Sequence, residues 1–272
     1  MSWPRKLFAS ALFVFASLGS VHAADNKLVL TGSSTVAPLA LEIGKRFESL
    51  NPGIRVDVQT GGSSRGVADA TNGLADIGLV SRALKSDEAK ILTAHTIAMD
   101  GVGIIVHGGN PVKQLSDDQI RAIYTGRVRN WRAVGGADRP ITVVNKAEGR
   151  STLELFLHYT GLKNSDIRAQ TVIGDNQQGI KTVAGNPGAI GYVSIGTAEY
   201  EASHGTPVKL LPMAGVAATT ETVRSGRFPL SRPLNLVTRG APSPLAQRLI
   251  DFAQSASVND LVEAQYFVPL AR

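Results

Sequence analysis

The sequence predicts an α/β chain, and three observations carry that prediction. Short apolar runs alternate with amphipathic stretches, polar loops rich in Gly, Ser and Thr join them, and no break in composition separates one part from the next. The first run, KLVL from Lys27, leads through TGSSTVAPLA into a helix whose apolar positions Leu39, Ala40, Ile43, Phe47 and Leu50 recur at helical spacing. Asn51-Pro52-Gly53 ends that helix. IRVDVQT alternates apolar and polar residues as a strand does, and GGSSRG then opens a short helix toward Asn72.

ADIGLVSR reads as a buried strand ending at Ser81-Arg82, after which Ser86-Asp87-Glu88 is expected to cap another helix. VGIIVHGGNPV, Val102 to Val112, is expected to be a strand leading out of this first region. A second α/β region follows, with helix SDDQIRAIYTG, strand PITVVN, loop KAEGRS, helix TLELFLHYTG and strand AIGYVSIG. RPLNLVTRG and PLAQRLIDFAQSAS close the chain as strand and helix. Two lobes crossed more than once by the chain account for this order, and the absence of a fixed-period repeat removes solenoid folds.

Ahead of these elements stand MSWPRK, an apolar run from Leu7 to Leu18, and the small residues of Val21-His22-Ala23. This is the pattern of a cleavable export signal over residues 1–24. The apolar run is about a dozen residues, short of the about 20 that a membrane-spanning helix takes. With no Cys there is neither a disulfide framework nor a thiolate metal site nor a lipidated anchor. A soluble periplasmic protein is expected. Loss of Arg5 and Lys6 with the signal lowers the formal charge from +6 to +4 (6 − 2). That mild excess suits a small anion, whereas scattered basic residues and 6% aromatics offer no nucleic-acid stripe.

The chemistry concentrates at four loops, Ser33-Ser34-Thr35, Ser63-Ser64, Ser81-Arg82 and Arg150-Ser151-Thr152. A helix N-terminus exposes unpaired N–H groups and about half a positive charge, so it attracts anions. Ser or Thr there is also an ordinary cap, worth about 1 kcal/mol. Four such entrances at the carboxyl ends of strands, where α/β proteins bind ligands, point beyond capping. Neither HExxH nor a P-loop GKS/GKT is present, and His95, His107, His158 and His204 lack ligand spacing to one another.

TGSSTVAPLA, GGSSRGV, ADIGLVSRALKSDE, EGRSTLELF, NPGAIGYVSIG, GRFPLSRPL and FVPL follow in an order that resembles the phosphate-specific substrate-binding proteins of bacterial ABC importers, from about residue 27 to 270. The resemblance implies a type II periplasmic-binding-protein fold, α/β and two-lobed, with the ligand cleft between the lobes. Residues 25–105 plus 230–272 are expected to form lobe I and residues 106–229 lobe II. The implied oxyanion ligands are Ser34, Thr35, the amide of Val36, Ser63, Ser81, Arg82, Arg150, Ser151 and Thr152, with Lys146 where relatives commonly carry Arg. The implied partners are inorganic phosphate or a similar oxyanion and an inner-membrane ABC permease, with a monomeric protein, no cofactor and no catalysis.

This sequence departs from the family pattern at two positions. Many relatives carry an Asp at the place of Ser81 to accept the proton of hydrogen phosphate, and Arg150 stands where a small residue is usual. Looser discrimination against sulfate is expected, with Glu148 the candidate substitute acceptor. Alternative readings are a receptor for sulfate, molybdate, tungstate or arsenate, a Ser/Lys hydrolase, and an envelope protein without a transport role.

Overall fold

The structure, a computed structural model, describes residues 26–270, and the expected export signal lies outside them. Among the described residues no helix is long and apolar enough to cross a membrane. β1 (Lys27–Gly32) leads into α1 (Ala37–Leu50), β2 (Arg55–Thr60) into α2 (Ser63–Asn72), and β3 (Ile77–Val80) lies beyond. β1 runs between β2 and β3, parallel to both, so the loops leaving all three strands open on one edge of the sheet.

Two expectations fail in the stretch that follows. Ser86-Asp87-Glu88 opens only a 3₁₀ turn at Glu88–Lys90, because the Glu88 carboxylate bonds back to the Lys85 amide and to Arg82. The third loop is therefore not a helix entrance. The next strand, β4 (Leu92–His107), begins ten residues earlier than the apolar run suggested and stops before Gly108. Its polar first half was unreadable as a strand because His95 and Thr96 find partners on another strand far along the chain.

The second region contains α3 (Asp117–Tyr124), β5 (Thr142–Lys146), α4 (Ser151–Thr160), β6 (Thr171–Ile173), α5 (Asn176–Ala184), β7 (Ala189–Ser194), α6 (Ile195–Ser203), β8 (Val208–Leu211) and α7 (Thr220–Arg224). A capping box of Ser116 and Gln119 starts α3, satisfying two backbone donors reciprocally. The chain then returns through β9 (Ser231–Arg239), α8 (Pro244–Ala253) and α9 (Asn259–Ala264). Strand order is β2-β1-β3-β9-β4-β7-β5-β6, with β8 also on β4.

β4 joins the two halves. Its residues Leu92–Gly101 pair antiparallel with β9, and Val102–His107 pair antiparallel with β7 and β8. One apolar core collects Leu30, Leu39, Phe47, Ile77 and Leu236, and another collects Ile104, Ile123, Trp131, Phe156 and Tyr192. In the second, Phe156 stacks on Tyr192 with centroids 4.0 Å apart. Each half buries its own interior, so the polar loops are left to meet between them. Leu50, read as part of the buried stripe of α1, is 64% exposed at that helix's last turn.

Two glycines let the loops approach closely. Gly32 has φ +135°, and a Cβ there would lie 2.3 Å from the Leu79 carbonyl oxygen. Gly62 has φ +99°, and a Cβ would meet the Gly149 carbonyl oxygen at 2.6 Å. Any side chain would push the loops after β1 and β2 away from their neighbours.

Candidate anion-binding site

Three of the four hydroxyl-rich loops converge with the N-terminus of α4 on a small cavity of about 10 Å³. Its lining is Ser33, Ser34, Thr35, Gly62, Ser63, Ser81, Arg150, Ser151 and Thr152. They come from four separate stretches of the chain, and Ser33, Thr35, Ser63, Ser81, Ser151 and Thr152 are all buried. Burial of six hydroxyls is tolerable only if each is hydrogen-bonded.

The hydrogen-bond directions can be followed atom by atom. Ser33 Oγ accepts from the amides of Thr35 at 3.1 Å and Val36 at 3.3 Å, so it serves as the cap of the first loop and donates its own hydrogen to Ser81 Oγ at 2.9 Å. The Val36 amide, expected to face a ligand, is thus used locally by Ser33. Ser81 Oγ also receives Arg232 Nη1 at 3.3 Å, which fills its acceptor positions and turns its hydrogen toward Ser151 Oγ, 2.5 Å away. Ser63 Oγ accepts from the Ser81 amide and donates to the same Ser151 Oγ at 3.1 Å. Ser151, with both lone pairs occupied, is left as an obligate donor. Thr35 reaches the same condition, since its Oγ1 accepts from Asn176 Nδ2 at 3.1 Å and from Arg232 Nη2 at 3.3 Å.

Arg232, on β9, is the residue that reading the sequence for loops overlooked. Its side chain is 0% exposed and its guanidinium donates to Asp100 Oδ2 from Nε at 3.1 Å and Nη2 at 2.8 Å. Nη1 reaches Thr152 Oγ1 at 3.1 Å, so one planar group ties hydroxyls from both halves. A lone Arg inside an apolar strand, RPLNLV, was the available signal, since buried guanidinium groups are rare unless paired.

Arg82 is not among the residues lining the cavity. It is buried, but Nη1 and Nη2 bond Glu88 at 2.7 and 2.8 Å, and Nε lies 2.9 Å from Glu154 Oε2. Burial alone would lower its pKa, yet Glu88 and Glu154 outweigh that and raise it. A guanidinium held by two carboxylates is not a free fork for a ligand. Glu148 is likewise absent from that lining: it is exposed and receives Asn164 Nδ2 at 3.0 Å. No carboxylate is among the residues lining the cavity.

Arg150 lines the cavity, half-buried, with Nε buried and lacking a hydrogen-bond partner. Lys146, at the end of β5, is 3% exposed and sits one residue behind the wall, donating to Asn176 Oδ1 at 3.0 Å. Burial, with Arg232 and Arg150 adding repulsion, lowers its pKa to about 7, against the opposing pull of Asp175.

The stretch Gly62-Ser63-Ser64-Arg65-Gly66 does fit the spacing of a hydrolase nucleophile elbow, but not its geometry. Ser64 lies inside the first turn of α2 and its hydroxyl faces Glu154 at 3.4 Å, rather than a His.

The model of the PBP superfamily domain matches residues 19–257. The chain belongs to the PBP superfamily. Within this superfamily it is 31% identical, with a TM-score of 0.83, to a crystal structure from Clostridium perfringens described as a phosphate ABC transporter substrate-binding protein with bound phosphate, covering 90% of this chain and 100% of that one. An ABC-type phosphate transport receptor from Vibrio cholerae superposes with a TM-score of 0.74 at 29% identity, over 89% of this chain and 100% of that chain. The phosphate-binding protein PstS of Bacillus subtilis is 29% identical over 91% of this chain and 82% of its own length. The two-lobed α/β fold with a cleft between lobes, expected from the sequence, is the fold of this PBP superfamily member.

Proposed function

We propose that this protein is a periplasmic receptor that binds phosphate between its lobes and delivers it to an inner-membrane ABC permease, acting as a monomer and making or breaking no covalent bond. The observation that carries this reading is the pair of obligate hydroxyl donors, Thr35 and Ser151, held beside a buried guanidinium by bonds that use up their acceptor sites. Such donors favour an oxygen-rich anion and give a neutral ligand no acceptor to answer. The relatives' printed functions support phosphate as that anion. Lobe I then comprises residues 25–105 and 230–272 and lobe II residues 106–229, closing about the junction of β4 and β9. The ligand donors are Ser34, Thr35, Arg150, Ser151 and Thr152 with Arg232, while Ser63 and Ser81 orient Ser151, Val36 and Arg82 serve to shape the loops and Lys146 to set local charge.

Calorimetric titration of ligand-stripped protein with a panel of oxyanions tests this. Phosphate is expected to bind with a dissociation constant on the order of 1 μM or tighter, about −8 kcal/mol. Ser151→Ala and Thr152→Ala should each lose about 1.5–3 kcal/mol of binding, the worth of a hydrogen bond to a charged partner. Normal binding with reduced stability in both variants would leave these hydroxyls with a structural role alone. A second reading, a receptor that also takes sulfate, is favoured by one observation: no carboxylate lines the cavity to reject an anion lacking a proton. Tight binding of both sulfate and phosphate would establish it.

A further inference from the structure

Lys146 is an unusual cation for an anion site. Its amine is buried, its one hydrogen-bond partner is the neutral Asn176 Oδ1, and none of its charged neighbours approaches to ion-pair distance. The elements around it bring more positive than free negative charge. Arg232 comes from β9 and Arg150 from the start of α4, both disfavouring a third cation, while Asp175 at the start of α5 opposes them. Asp100 on β4 is already committed to Arg232, and from β7 only the Tyr192 hydroxyl arrives, 3.3 Å from the Lys146 amide nitrogen. Tyr192 is itself kept neutral, since burial pushes its pKa up. Asn176 links the amine to the ligand cavity, because its amide group donates to Thr35, one of the cavity's hydroxyls.

We propose that Lys146 matches the charge of the site to that of its ligand, standing neutral in the free protein at mildly alkaline pH and taking up one proton from solvent there as the anion enters. The proton forms a bond to the Nζ lone pair and nothing is oxidised or reduced. The anion supplies the negative charge that the surrounding side chains withhold, so the ammonium becomes favourable only with ligand present. An Arg at this position would stay charged throughout, so this chain's Lys makes affinity respond to pH where Arg would not. The proposal rests on the phosphate-receptor reading above and names a proton linkage for that same site.

The sign follows from linkage. Anion binding favours protonated Lys146, so affinity is full below the amine's free-protein pKa of about 7 and is lost as pH rises above it, by up to about tenfold per unit until the pKa of the bound state is passed. The test is calorimetry with inorganic phosphate between about pH 8 and pH 9.5, where phosphate stays the doubly charged hydrogen phosphate ion throughout, in buffers of differing ionisation enthalpy. The parent should take up close to one proton per phosphate bound and weaken about tenfold per pH unit, whereas Lys146→Arg should take up none from this position and stay level. Nitrogen NMR of the Lys146 amine in the parent gives the same answer without a variant: its pKa should rise when phosphate is added. Equal proton uptake in parent and Lys146→Arg, or an amine already charged at pH 9 in free protein, would overturn the proposal. Failure of the parent to bind phosphate at all would instead overturn the receptor reading.

Discussion

Arg82 and Arg232 are both buried arginines, one just past the end of β3 and the other on the neighbouring β9, yet they do opposite work. Arg82, at the end of β3, is closed off by Glu88 and Glu154, and its charge is spent on carboxylates. Arg232, paired with the single carboxylate of Asp100, keeps Nη1 and part of Nη2 for Thr152, Ser81 and Thr35. The count of carboxylates therefore decides which guanidinium can face an anion. The first Arg belongs to a rim that includes residues from both halves, because Glu154 on α4 also meets Lys85 at 3.3 Å. The second belongs to the centre.

The largest effect is expected at the centre. Arg232→Ala leaves Asp100 buried and unpaired, which should cost about 3–5 kcal/mol of stability along with the loss of measurable phosphate binding. Arg232→Lys keeps the charge but not the fork, and should fold while binding at least about tenfold more weakly, read by thermal melts beside calorimetry. Arg82→Ala is the intermediate case. It frees Glu88 and Glu154, whose side chains are 12% and 27% exposed, so a loss of about 1–3 kcal/mol in stability is expected with a smaller loss in affinity. If Arg82→Lys cost as much phosphate affinity as Arg232→Lys, the division between rim and centre would be wrong.

Smaller effects sharpen the same contrast. Glu154→Gln removes the charge that joins Arg82 and Lys85 across the cleft, and should weaken binding by about 0.5–1 kcal/mol, an effect that fades as salt is added. Stability in acid should register the rim as well. Burial would raise the Glu88 pKa, but Arg82 and the Lys85 amide hold it below the usual carboxylate range. A lowered carboxyl pKa stabilises the fold above the unfolded value and loses that contribution as pH falls through the folded one. Melting temperature followed from neutral to acid pH should therefore drop less in Glu88→Gln than in the parent.

How much was legible in the sequence follows from the range over which each interaction acts. Helical spacing in α1, strand alternation in β2 and the hydroxyl-rich entrances of α2 and α4 are local patterns and appear where the sequence places them, although neither α2 nor α4 carries a side-chain cap. The polar half of β4 and the missing helix after Ser86 were hidden because pairing with β9 and the Glu88–Arg82 contact overrode local preference. Ser33, read with Ser34 and Thr35 as one cluster, proved to be the cap that releases Thr35 for other work.

By itself the sequence determined the α/β class, the set of hydroxyl loops and their position at strand ends, since these depend on residues within a few positions of one another. Only the tertiary structure decided which charges those hydroxyls face. Asp100 and Arg232 are 132 positions apart and Arg232 reaches Thr152 across 80, and no periodicity relates them. Coulomb energy and hydrogen-bond geometry depend on distance in space, so whether an arginine is neutralised, shared or left open to an anion is settled only when the two lobes bring those strands together.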